Sequence, residues 1–193
     1  MQSPIPAGTS IARRLNAEQT GIALLLVAGV VVAIAIATEG ALSRAVNGIA
    51  GVLWILSAWF LVNALRSDLK FWPRLAQVTA ICLVLVLVVR PGDLALALSG
   101  FSAAGAIVAA TTGTRGFTWA VLLPALWLPV HLGTAVAKAA YRAIADQPAA
   151  LRSDPPPTAA IVPFSMIVGA MIGAWLVRRY MLNRRERQTS AGA

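Results

Sequence analysis

The sequence predicts an all-α, polytopic integral membrane protein, a bundle of six transmembrane helices with both termini in the cytoplasm. Two observations carry the class. Six apolar segments follow one another along the chain, most of them near the roughly 20 residues that a bilayer crossing needs. Of the 193 residues, 59% are hydrophobic and 12% charged, against roughly half and a quarter in soluble domains. A third observation, the distribution of Lys and Arg between the segments, carries the orientation. No run of segments alternates at period two, as a membrane barrel requires.

Residues 1–20 read as a cytoplasmic amino-terminal segment, with Pro4, Pro6, Gly8 and the pair Arg13, Arg14. Asn16 and Gln19 stand at capping-box spacing for the first helix. The first apolar run, 22–38, has ten Ile, Leu or Val among 17 residues; it is long for a cleavable leader and reads as a span. The second, near 48–65, carries Trp54 and Trp59. After a charged link with Arg66, Asp68, Lys70 and Arg74, the third run, 75–89, has ten Ile, Leu or Val in 15 positions and reads as lipid-facing.

Arg90-Pro91-Gly92-Asp93 is a turn sequence whose Asp can cap the next helix, so segments three and four are expected to form a tight hairpin. The fourth segment, 94–112, is the expected centre of the bundle. Thirteen of its 19 residues are Ala, Gly, Ser or Thr, side chains that let neighbouring backbones approach closely. The fifth, 117–137, contains Pro124, Pro129 and His131, and the prolines should free the carbonyls of residues 120 and 125. Lys138 to Asp146 reads as an exposed extension of this helix, ended before Pro155-Pro156-Pro157, where no helix can continue. The sixth runs over 158–177. The six-helix domain is thus 21–180, and 181–193 form a basic cytoplasmic tail.

Cytoplasmic loops retain Lys and Arg. The amino terminus, the 66–74 link, the 113–116 link and the tail hold 11 of the 16; the other three links hold five. Trp72, Trp119 and Trp175 then fall at the cytoplasmic boundary, where an aromatic belt would place them. Arg outnumbers Lys 14 to 2 and Ala is abundant, a composition usual in GC-rich bacteria, so a bacterial inner membrane is the expected location. The net charge of +9 is spread over segment ends and makes no continuous basic face for a phosphate backbone. No nucleic-acid partner is expected.

No Asp, Glu, Lys or Arg lies well inside a span, which argues against a proton-coupled pump. There is no His-Glu-x-x-His, phosphate loop or Gly-x-Ser-x-Gly elbow, and the single cysteine, Cys82, forms no paired motif. No cofactor, metal or catalytic residue is assigned, and the expectation leans away from an enzyme. The candidate ligand pocket is Ser99, Ser102, Trp127 and His131, in the outer half of the fourth and fifth segments. Its bland counterpart is a neutral His bonded locally and Ser residues that cement helices.

Ser165, Gly169 and Gly173 make a small-x-x-x-small helix-packing stripe, read as internal packing ahead of a homo-oligomer contact. Arg178, Arg179, Arg184, Arg185 and Arg187 fix topology, with anionic lipid headgroups as a further partner. The leading functional expectation is a non-catalytic subunit or scaffold of a larger membrane assembly. The alternatives are a small-solute transporter or substrate-binding subunit with a pocket near His131 and, more weakly, a surface enzyme on lipid headgroups using Arg90, Asp93 and Glu39.

Overall fold

Short polar links divide the chain into helices whose ends follow local chemistry. The computed structural model describes residues 7–37, 40–89, 93–144 and 161–191. Six helices follow in order: α1 Ala7–Ala37, α2 Gly40–Leu65, α3 Phe71–Val88, α4 Leu94–Thr112, α5 Gly116–Ile144 and α6 Val162–Ala191. A 3-10 turn at Gly113–Arg115 joins α4 to α5. The described residues contain no strand, and all six helices are long and apolar enough to cross a membrane. The chain is a multi-pass membrane protein.

Asp93 caps α4, its carboxylate accepting the Leu96 N–H at 2.9 Å and so satisfying one of the amides that a helix start leaves unpaired. Gly113 ends α4 at φ 77°, a conformation a side chain would strain. The Pro155 to Pro157 run and the turn residues Arg90 to Gly92 lie outside the described residues.

Glycines bring helices into close contact at several places, among them the start of α5, where a Cβ on Gly116 would meet the Ala109 carbonyl of α4 at 2.5 Å. In the α1–α2 hairpin, a Cβ on Gly21 would sit 2.8 Å from Leu61, and the buried Ser57 hydroxyl donates to the Gly21 carbonyl at 2.8 Å. Between α4 and α6, a Cβ on Gly105 would meet the Ala170 carbonyl at 2.6 Å, and one on Gly169 the Leu98 carbonyl at 2.5 Å. Close approach of this kind gains dispersion where lipid tails offer no hydrophobic drive to associate.

The centre of the bundle is α5. It touches each of the other five helices, and residues 118–125 are all buried. The small-residue segment α4 lies at the periphery, with Ala95, Leu98, Ser99, Ala103, Ile107 and Ala110 exposed. Small side chains serve one close face, here toward α6, whereas an axis enclosed on all sides needs side chains that reach in several directions. Trp119, Leu122 and Leu123 provide that reach. For the same reason α3 rests mainly on α5 rather than forming a tight hairpin with α4, which it meets lightly, as where Gln77 donates to Thr111 at 3.4 Å.

The three longest helices outrun the bilayer, α1 with 31 residues among them. By 1.5 Å per residue, the 29 residues of α5 span about 43 Å and the 30 of α6 about 45 Å, against a hydrocarbon core near 30 Å. From residue 131 to its end α5 is exposed at all but one position, so the extension expected from Lys138 is helical as far as Ile144. The basic tail continues α6.

Candidate functional site

The most developed polar constellation lies between helix ends, where the links meet. Asp68, in the α2–α3 link, accepts three N–H donors: Arg115 Nη1 at 3.0 Å on Oδ1, Arg74 Nη1 at 3.2 Å and Trp119 Nε1 at 2.9 Å on Oδ2. Arg115 Nη1 also reaches the Ala64 carbonyl at 3.2 Å and Ser67 Oγ at 3.3 Å. The carboxylate therefore fastens the end of α2, the start of α3 and the start of α5. One residue before Trp119, the buried Thr118 hydroxyl donates to Glu18 of α1, so acids from two other elements hold the first turn of α5.

The local sequence explains this convergence. Arg115 and Trp119 are four apart and share a face of the α5 start. Asp68 projects from a link whose own backbone is tied down by Asp68 N–H to Leu65 C=O and Phe71 N–H to Asp68 C=O. The Asp68 and Arg74 side chains are 12% and 26% exposed, and Trp119 is fully buried. Trp119 is thus covered by protein at the helix ends and does not face lipid as a belt residue would, its indole N–H being bound by the Asp68 carboxylate. Trp72 and Trp175 are exposed, and the Arg179 guanidinium lies 5.2 Å from the Trp175 ring centroid.

Trp127 and His131 come together. Their rings stack at 5.0 Å with 13° between planes, and Trp54 of α2 lies 6.4 Å from Trp127. The Trp54 N–H donates to the Pro124 carbonyl at 2.9 Å, and Cys82 Sγ lies 3.5 Å from the Leu123 carbonyl. The helix runs on through both prolines. Neighbouring side chains thus bond carbonyls of residues 123 and 124 rather than those of residues 120 and 125.

The two serines lie elsewhere. Ser99 is exposed and donates to the Ala95 carbonyl of its own helix at 2.7 Å, while Ser102 lies where α4 meets Gly169 and Gly173 of α6. No hydrogen bond or ring contact among the described residues joins either serine to Trp127 or His131. Ser165 donates to the Val162 carbonyl at 2.8 Å. A shallow surface groove beside Ala137, Lys138, Tyr141 and Arg142 is lined by α5 alone.

Of the basic residues at the end of α6, Arg178, Arg179 and Arg184 are exposed; the side chains of Arg185 and Arg187 lie outside the described residues. Glu39 and Arg90 do also, and Asp93 is engaged as a cap. Among the described residues no three His, Cys, Asp or Glu lie together as metal ligands.

The sequence reading did not single out the Asp68 constellation. Its signal was one acid among three cations in a single link, with Arg115 and Trp119 at helical spacing beyond. No protein-family model matches the chain, and neither a curated protein nor a solved structure matches it.

Proposed function

We propose that this protein is a non-catalytic subunit or scaffold of a larger assembly in a bacterial inner membrane, with both termini cytoplasmic. One observation carries the reading: the polar side chains inside the bundle are spent on the fold. Ser57 bonds Gly21, Trp54 bonds Pro124 and Thr112 bonds Val108, and no buried side-chain nitrogen or oxygen among the described residues lacks a partner. A site for transport or catalysis ordinarily keeps some polar groups free to meet its ligand. The exposed face of α4 and the projecting ends of α5 and α6 give such a subunit surfaces to present.

The test is purification from native membranes in mild detergent, with the mass of the particle measured. A stoichiometric second membrane protein bound to the 20.1 kDa chain is the expected result. A particle holding this chain alone, with a small molecule retained, refutes it.

The Trp127–His131 stack favours a second reading, solute binding beside α5, since paired rings offer a flat apolar wall with a polar edge. On that reading His131→Ala lowers solute retention while leaving thermal stability unchanged. Loss of stability with no change in retention would make the imidazole structural.

A further inference from the structure

We propose that the Asp68 clasp is also a binding site for the phosphate of an anionic phospholipid, made by Arg74 and Arg115. Asp68 holds both guanidiniums through one nitrogen each, Nη1 in both cases. A guanidinium carries five N–H donors in a planar fork. Among the described residues, the Nε and Nη2 donors of both arginines have no partner, although their side chains remain 26% and 33% exposed. Two cations thus share one carboxylate. The local excess of one positive charge sits on two partly exposed side chains held by their bond to Asp68, and a guanidinium fork suits a phosphate better than a point charge does.

Position selects a lipid as the source of that phosphate. Asp68 lies between the end of α2 at Leu65 and the start of α3 at Phe71, and Arg115 between the end of α4 at Thr112 and the start of α5 at Gly116. These are boundaries between span and water, the level of lipid headgroups. Leu69 is fully exposed and Trp72 is 73% exposed in the same stretch, an apolar pair suited to the interface beside the cations. Arg66 and Lys70, both exposed, add to the attraction, each near the surface contributing about as much as a fivefold change in affinity.

The experiment uses the full chain in detergent, offered equal amounts of phosphatidylglycerol and phosphatidylcholine, with retained lipid read by native mass spectrometry. The expected result is preferential retention of phosphatidylglycerol. Arg74→Gln should weaken that retention about fivefold, whereas a triple Arg184→Gln, Arg185→Gln, Arg187→Gln tail variant keeps it. Arg74→Lys, which retains the charge beside Asp68, covers the case that glutamine is not tolerated; losing the fork, it too should retain less lipid than the native chain. Loss of the preference in the tail variant but not at Arg74 overturns the proposal, as does unchanged binding in Arg74→Lys. Inorganic phosphate that displaces the lipid at equal concentration would overturn the lipid assignment in favour of a soluble anion.

Discussion

Replacing Gly173 by alanine tests the closest approach in the bundle. A Cβ there would run into the Ser102 carbonyl oxygen and fall 2.8 Å from the carbonyl carbon and 2.9 Å from the Ala106 nitrogen, where real Cβ contacts essentially never fall below 3.0 Å. The obstructing atoms are backbone and cannot rotate away, so α4 and α6 must separate locally to reach that floor. A gap of about 0.5–1 Å already forfeits a quarter to a half of a dispersion well, and overpacking a tight core costs about 1–3 kcal/mol. We expect Gly173→Ala near the upper end, about 3 kcal/mol. Gly105→Ala should cost less, its nearest backbone atom being 2.6 Å away. Gly133→Ala has nothing within 4 Å and should gain up to about 1 kcal/mol from the lower backbone freedom of alanine. The assay is loss of helical signal as the fraction of denaturing detergent in mixed micelles rises. Equal midpoints for Gly173→Ala and the native chain, or an equal loss in Gly133→Ala, would refute the close packing of α4 on α6.

Three further predictions rest on separate contacts. Asp68→Asn leaves Arg74 and Arg115 without their counter-charge and should cost about 2 kcal/mol, the scale of hydrogen bonds to a charged group; the same unfolding measurement should show Arg74→Gln restoring part of that loss in the Asp68→Asn background. Trp54→Phe deletes the N–H that binds Pro124 and should cost about 1 kcal/mol, whereas Trp59→Phe, at a position 59% exposed, should cost little; equal midpoints would remove the Trp54 bond from the account. Cys82, fully buried against α5, should resist a maleimide in mild detergent and react only on unfolding, with the rate of labelling as the readout.

The number and type of elements were legible because length and apolarity in a membrane leave a chain few choices: every backbone polar group must be satisfied within its own segment or in a closed barrel. Asp93 at the end of a Pro-Gly turn was readable as a cap for the same local reason. Arrangement was not local. The run of small residues in α4 says that something comes close on one side, and Gly169 and Gly173 of α6 show what does. It says nothing about the opposite face, which is exposed at Ala95, Ser99 and Ala103. The burial of α5 follows from bulky side chains directed at several neighbours, and that property appears only once the neighbours are placed.

The same limit governs the polar groups. Ser99 and Ser102 share a helix face by spacing, yet Ser99 bonds its own helix while the backbone of Ser102 abuts α6, outcomes fixed by which neighbour stands beside each. Trp127 and His131 are four apart on one helix, a local relation, and they do stack. Asp68 and Trp119 are 51 positions apart, so only the folded bundle brings the carboxylate to the indole. A carboxylate that joins three helix ends must form after the spans have docked, whereas the helices themselves can form on insertion. The Asp68 clasp therefore acts on the completed arrangement of α2, α3 and α5. Asp68→Asn should accordingly leave total helical content unchanged at low denaturing detergent while increasing protease cleavage in the 66–70 link; loss of helix from the outset would refute this order.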